Sequence, residues 1–509
     1  MKLNAATKIL FSIGVAAVMA GLMHLIDDGW GPSWAYNVLR NWQEFGIFSL
    51  HGQMISNPAG FGVPEHAEIY KGMSPVCLYP VYFVTQFFGW SGLGTDAFYI
   101  LFGLATFWGI WHLLGQNNFA LAIAAAAILC PGYMRYQREL DPNAISVLPV
   151  IPYAAVVLTV LRRPKLSPML LTALFLLTLG FASLNWTTAW VCGPCILLLF
   201  GMPGINRRTL LLFIGILGTC VALTVVASLI AKSGGGQSGI NLSNPLQVIR
   251  TYMSGSIGYG QGMTWGKAFV RLAFVNAVGL FPLWLVLIYI SARRIRSGDG
   301  LSWIQFAPLI LTILELGVMR NYFGHHPWMS CPVIFVGMIF SLALLQVAPA
   351  PDEKTKKTRI DVPFKFTVAA TFPCILYGLA VLIFLRTNEN NSLSLLGLVR
   401  AHTQRSDIIV VVKNSDPDTA KVAGRLDEIL DRRVIVLDDF KDLVGEKNHS
   451  VILSALKLDD SFTLVAQSSA HSQQWLSEVA NWFNHSVARR NPGDRLELAD
   501  AYYLYELKP

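Results

Sequence analysis

Residues 328–346 read WMSCPVIFVGMIFSLALLQ, and none of them is charged. At ~1.5 Å of rise per residue a helix of that length covers roughly 28 Å, close to the ~30 Å hydrocarbon core of a bilayer. Similar runs occur near residues 9–26, 143–161, 168–184, 187–203, 209–231, 268–292, 302–319 and 364–385. Between residues 76 and 136 the apolar stretch divides into pieces near 76–90, 97–114 and 119–131, two of them short. The chain as a whole agrees: 53% of its 509 residues are hydrophobic and only 14% are charged. Globular domains carry about 25% charged residues, and disordered or nucleic-acid-binding chains carry more, so those classes are excluded. The mean hydropathy of +0.48 describes a polytopic α-helical membrane protein.

The net charge of +8 divides unevenly, with +12 in residues 1–386 and −4 in residues 387–509. The basic excess therefore belongs to the apolar part, where it reports orientation. Arg162, Arg163 and Lys165, then Arg207 and Arg208, then Arg293, Arg294 and Arg296, then Lys354, Lys356, Lys357 and Arg359 recur after every second helix. By the positive-inside rule these loops are cytoplasmic. Residues 27–75, 132–142, 232–267, 320–327 and everything after 386 are then external. The run at 9–26 follows Lys2 and Lys8 and lacks an A-x-A site before Asp27, so it reads as a retained first span with its amino end in the cytoplasm. Loops 27–75 and 132–142 share a side, which requires an even number of crossings between them and a total of about 11 spans.

Residues 387–509 have a different character. DIIVVVK at 407–413, RVIVLD at 433–438, 451–455 and 462–468 read as strands, and 417–430 and 472–487 have helical periodicity. A small extracytoplasmic α/β domain is expected there. All seven cysteines lie in the apolar part, so no disulfide framework is implied. The tetrapeptide Cys192-Gly193-Pro194-Cys195 matches a redox motif but sits inside an apolar run, where buried structural thiols are expected.

Chemistry gathers in three external loops. The first opens on Asp27 and Asp28, passes Trp30, Trp34, Arg40, Trp42 and Glu44, and ends in Glu65, His66, Glu68, Tyr70 and Lys71. Its aromatic content suits helices lying at the membrane interface. The second holds Arg135-Tyr136-Gln137-Arg138-Glu139-Leu140-Asp141-Pro142, and the third Arg320-Asn321-Tyr322-Phe323-Gly324-His325-His326-Pro327. A solvated helix end would account for Asp27 and Asp28 alone. Carboxylates, guanidinium groups and imidazoles on one face of the membrane make a candidate site.

Asp27-Asp28 after the first span, an aromatic loop ending in Glu68-Ile69-Tyr70-Lys71-Gly72-Met73-Ser74-Pro75, and the later Arg138-x-x-Asp141 resemble the type C glycosyltransferases. Within them the chain is most similar to the polyprenyl-phosphate-sugar transferases, which include protein O-mannosyltransferases and the aminoarabinose transferase of lipid A. The resemblance covers residues 1–345 in topology and only these patches in sequence. Where many members have Asp-Glu this chain has Asp27-Asp28, and where they often have Lys-Pro it has Lys71-Gly72. No Trp-Trp-Asp motif of the oligosaccharyltransferases occurs.

The resemblance implies an integral-membrane glycosyltransferase that moves a sugar from a polyprenyl-phosphate donor to a lipid, protein or glycan acceptor on the extracytoplasmic face of the inner (plasma) membrane. A phosphate leaves without being protonated, so one carboxylate base suffices. Asp28 or Asp27 is the expected base, or a ligand of Mg2+ or Mn2+, with Asp141 as second carboxylate or third metal ligand. Lys71, Arg138 and Arg320 would neutralise the phosphate, and Tyr70, Glu139, His325 and His326 complete the expected substrate contacts. No glycine-rich nucleotide fingerprint appears on the cytoplasmic side, and no nucleic-acid partner is expected. The rival is a transporter or flippase for a lipid-linked or anionic substrate. It would place ionisable groups such as Glu315 inside helices and show internal repeats.

Overall fold

The computed structural model describes residues 5–23, 33–50, 52–55, 75–88, 93–138, 147–163, 166–184, 186–233, 264–298, 300–325, 327–346 and 362–387, and strand residues 408–412, 433–437, 462–467, 486–489 and 502–508. Up to residue 387 the elements are helices: α1 Ala5–Met23, α2 Ser33–Phe45, α3 Tyr79–Phe88, α4 Leu93–Leu113, α5 Asn118–Ile128, α6 Pro131–Arg138, α7 Val150–Leu161 and α8 Pro168–Ala182. They continue with α9 Trp186–Gly201, α10 Arg207–Ser233, α11 Trp265–Gly279, α12 Phe281–Arg296, α13 Trp303–Val318, α14 Arg320–His325, α15 Ser330–Gln346 and α16 Phe364–Thr387. A 3-10 turn, Pro327–Met329, joins α14 to α15.

Local chemistry sets several of the starts. Asn117, Ser167, Thr264 and Ser302 precede α5, α8, α11 and α13, and their side-chain oxygens accept from Ala120 N (2.7 Å), Leu170 N (3.3 Å), Lys267 N (3.5 Å) and Ile304 N (3.4 Å). Each bond satisfies a donor that has no partner within its helix.

Packing follows the breadth of each apolar face. The window containing α15 is apolar all round, and 89% of it is buried, against 22% for the windows in α10 and α16. α15 is therefore the centre of the bundle, packed against α9, α11, α12 and α13. Small residues permit the close approach: a Cβ at Gly337 would press on Leu309 Cα and the Thr312 side chain of α13.

One apolar run departs from expectation. Residues 268–292 do not form a single span but divide into α11 and α12, which meet at 83°. Pro282 lies in the first turn of α12, where its missing N–H costs nothing, whereas deeper in a continuous helix it would remove a bond. The exposed backbone groups are satisfied around the corner. Asn276 O accepts from Leu280 N and from Trp284 Nε1, both at 3.1 Å, and the Tyr377 hydroxyl of α16 donates to Val278 O at 2.7 Å. Broken helices survive in a bilayer where neighbours supply such partners.

Other boundaries also shift. The stretches read as external loops at 132–142 and 320–327 contain α6, α14 and the 3-10 turn. The apolar piece at 119–131 becomes an α5 of 11 residues, and the run at 143–161 becomes helical as α7 only from Val150. Trp42 on α2 is fully buried against Tyr79 and Tyr82, with its indole donating to Gln53 O at 2.7 Å, so this ring packs inside the protein and does not sit at a lipid interface. Among the described residues three helices are long and apolar enough to cross a membrane, or four if the α11–α12 pair counts as one span. Eight further apolar stretches are shorter, at 10–17 residues. Cys192 and Cys195 are both buried in α9.

The C-terminal residues form a five-stranded sheet of β1 Ile408–Val412, β2 Arg433–Leu437, β3 Phe462–Gln467, β4 Ser486–Arg489 and β5 Tyr502–Lys508, in the order β2-β1-β3-β5-β4. β2 and β3 flank β1 in parallel, and β5 lies antiparallel between β3 and β4. The first three strands fall where the sequence reading puts them. The expected strand at 451–455 and the expected helix at 417–430 lie outside the described residues, and the expected helix at 472–487 gives way to strand at Ser486.

A close crossing joins α6, α11 and α15: a Cβ at Gly279 would lie 3.0 Å from Cys331 Sγ, 3.2 Å from the Trp328 ring and 3.3 Å from Gly132 Cα. Gly279→Val is expected to cost about 1–3 kcal/mol by overpacking, read as a lower melting temperature in detergent, while Gly218→Val, at a position with open space around it, leaves the melt unchanged.

Candidate functional site

Helix α11 is the platform on which the candidate site is assembled. It packs against α6, α14, the 3-10 turn and the start of α15, so the second and third charged segments meet on one helix. The 83° corner makes this possible, because it turns α11 away from the axis of α12 and across the ends of the others.

Three arginines lie along α11, Arg320 at its amino end, Arg271 within it and Arg135 near its carboxyl end. Arg320, the first residue of α14, lays its guanidinium over the Trp265 ring at 4.1 Å. Arg271 of α11 donates through Nη1 to Gly324 O at 3.3 Å, tying the platform to α14. Arg135 of α6 is buried and stands 4.8 Å from the Trp328 ring centroid. Aromatic faces carry partial negative charge and attract cations, by ~0.5–1 kcal/mol at exposed sites and more when dry. They hold the side chains in place without consuming all their N–H donors. The Arg320 Nε is buried and has no hydrogen-bond partner. Neither Arg271 nor Arg320 is in an ion pair among the described residues. The Arg271 and Arg320 pair at the α11–α14 contact has the chemistry of an anion receptor, since guanidinium forks match phosphate oxygens.

The Trp328 turn is pinned from beneath. Asn276 Nδ2 of α11 donates to Ser330 Oγ at 2.6 Å and to Leu272 O at 2.8 Å, and Ser330 Oγ donates to Pro327 O at 2.5 Å. This chain fixes the 3-10 turn, and with it the ring that faces Arg135.

Of the residues expected from sequence, Arg320 is the one whose side chain is described. Arg138 ends α6 and His325 ends α14, so both helices bearing them contact α11, but their side chains lie outside the described residues. Asp27, Asp28, Tyr70, Lys71, Glu139, Asp141 and His326 also lie outside them. Among the described residues no three His, Cys, Asp or Glu side chains group to hold a metal. Two members of the cluster had no expected role. Arg135 was one charge among several in its segment. Arg271 lay hidden inside an apolar run, although an ionisable residue there is by default a functional candidate. Glu315 is buried on the stripe of α13 that includes Thr312 and Leu316, the face toward α15.

No protein-family profile matches the chain, and no curated protein matches its sequence. Solved structures do. ArnT from Cupriavidus metallidurans bound to undecaprenyl phosphate aligns over 99% of this chain and 98% of its own, with a TM-score of 0.52 at 11% identity. The same protein in the apo state gives 0.51 at 12% identity over the same shares. An oligosaccharyltransferase from Archaeoglobus fulgidus aligns over 92% of this chain and 69% of its own at a TM-score of 0.40 and 12% identity. The chain thus has the fold of ArnT.

Ser330→Ala is expected to lower the melting temperature by the equivalent of about 1 kcal/mol, because Asn276 Nδ2 loses a buried acceptor. It should also shift tryptophan emission as Trp328 loosens, whereas Ser297→Ala, at an exposed helix end, should do neither.

Proposed function

We propose that this protein is an integral-membrane glycosyltransferase that takes a sugar from a polyprenyl-phosphate-linked donor. The observation that carries the reading is the pair of arginines at the contact of α11 with α14, Arg320 over the Trp265 ring and Arg271 bonded to Gly324 O, within an ArnT-like bundle. One of the ArnT structures is bound to undecaprenyl phosphate, a ligand whose headgroup is what a guanidinium cluster suits.

The chemistry follows from charge. An acceptor hydroxyl attacks the anomeric carbon on the face opposite the phosphate, the carbon–oxygen bond to phosphate breaks, and its electron pair leaves with the phosphate. The anomeric centre inverts. The acceptor proton goes to Asp28 or Asp27, with Asp28 preferred, and Asp141 assists. Arg320, Arg271, Arg138 and Lys71 stabilise the charge that develops on the leaving group, and Tyr70, Glu139, His325 and His326 contact substrate. Asp27, Asp28 and Asp141 are also the hard-oxygen set that Mg2+ or Mn2+ would take. The acceptor is a lipid, protein or glycan on the extracytoplasmic face of the inner membrane, the amino terminus is cytoplasmic, and about 11 crossings complete the bundle. Residues 387–509 form an extracytoplasmic α/β module, a reading supported by parallel β1, β2 and β3, since parallel neighbours need long crossovers that are usually helical.

The test uses purified full-length protein with a panel of polyprenyl-phosphate sugars. Asp28→Asn or Asp27→Asn is expected to lower transfer by ~10²–10⁴-fold, the range for loss of a general base, with the fold intact by thermal melt. Undiminished transfer in both variants would remove the base assignment. A chelator that abolishes transfer, with recovery on adding Mg2+ or Mn2+, would assign the carboxylates to metal. Movement of intact donor across vesicles without sugar release would instead favour a transporter. Arg320→Lys keeps the charge but loses the planar stack on Trp265, and is expected to cost about tenfold in turnover at low donor concentration.

A further inference from the structure

At the opposite end of α12 from its corner, a second cationic site is built between α12 and α15. The core-facing stripe of α12 runs Leu283, Leu287, Ile290 and then, one turn on, Arg294. Arg294 reaches α15, where Nη1 donates to Leu345 O at 2.7 Å. Its Nε is buried with no hydrogen-bond partner, and so is Nε2 of Gln346, the residue after Leu345. Arg294, bonded to Leu345 O, and Gln346, the next residue of α15, thus each keep a buried donor without an acceptor. Leaving such donors unmet is unfavourable, more so for a charged one.

The surroundings specify what would meet them. The outward stripe of α12 runs Phe281, Leu285, Ile288 and Tyr289, each 43–62% exposed, and descends onto Arg293 and Arg296. None of Arg293, Arg294 and Arg296 is in an ion pair among the described residues. An apolar strip about two turns long that ends in a cluster of guanidinium groups and orphan donors matches one kind of molecule: acyl chains along the strip and an anionic phosphate at its end. We infer that the α12–α15 cleft at Arg294 and Gln346 is a binding site for the headgroup of an anionic phospholipid. The site is separate from the arginine cluster on α11. It rests on α12 crossing the bilayer and not on the transfer reaction. Basic pockets between membrane helices are the expected receptors for such headgroups.

The experiment delipidates the purified full-length protein, returns phosphatidylglycerol or phosphatidylcholine, and counts retained lipid by native mass spectrometry. Phosphatidylglycerol should be retained in preference. Arg296→Gln should weaken its retention by about fivefold, the effect of one basic residue worth ~1 kcal/mol near a lipid headgroup, and Arg294→Gln by at least as much. Arg208→Gln, in a different basic turn, should change nothing. Should Arg294→Gln fail to fold, the Arg293→Gln/Arg296→Gln double variant leaves the bond from Arg294 to Leu345 intact and carries the same expectation. Equal retention of the two lipids, an equal loss in Arg208→Gln, or full displacement by inorganic phosphate alone would overturn the assignment. A sugar-transfer failure in the Asp27 and Asp28 assays would leave it untouched.

Discussion

A bilayer supplies no water to satisfy a broken backbone, and the corner at Leu280 exists only because the protein supplies the partners itself. Asn276 O takes two donors and Val278 O takes the hydroxyl of Tyr377 from α16. Without those bonds the favourable state of residues 268–292 would be a continuous rod. The bent pair lets α11 contact α6, α14, the 3-10 turn and α15 while α12 runs at 83° to it. The glycines at 132 and 279 serve the same end by letting α6, α11 and α15 approach to the distance at which Trp328 can face Arg135.

Much of the helical part was legible because hydropathy and helix length are nearly the same quantity in a membrane. The run at 364–385 and helix α16 coincide within two residues at the carboxyl end, and 302–319 differs from α13 by one at each end. Hydropathy fails where an apolar run contains a turn, since a continuous rod and a bent pair expose the same composition. Pro282 was the visible sign at the corner, but proline in a membrane helix signals a break only together with the partners of the freed groups, and Tyr377 is remote in sequence. Charged segments around Arg135 and Arg320 read as loops because a single helical turn or two leaves no periodicity to detect. In the tail, the expected helix at 472–487 overlaps only the first two residues of β4, and no strand is expected at β5, with Tyr502, Tyr503 and Tyr505, although it sits between two partners in the sheet.

Of the three charged segments read from sequence, the described parts of two, α6 and α14, both contact α11, while Asp27, Asp28, Lys71 and Asp141 lie outside the described residues. The part of Arg271 is not legible in sequence, because a tertiary bond to Gly324 O ties it to α14, a contact that no local pattern encodes.

The burial of α15 has a bearing on how the molecule is made. This helix is the hub, yet it is translated after α9, α11, α12 and α13, all of which line it. During synthesis the earlier helices must enter the bilayer with an unfilled slot between them, their small and apolar faces meeting lipid in the meantime. The bundle can close only when residues 330–346 leave the ribosome and displace that lipid, so assembly is a late, collective event and not a helix-by-helix accretion.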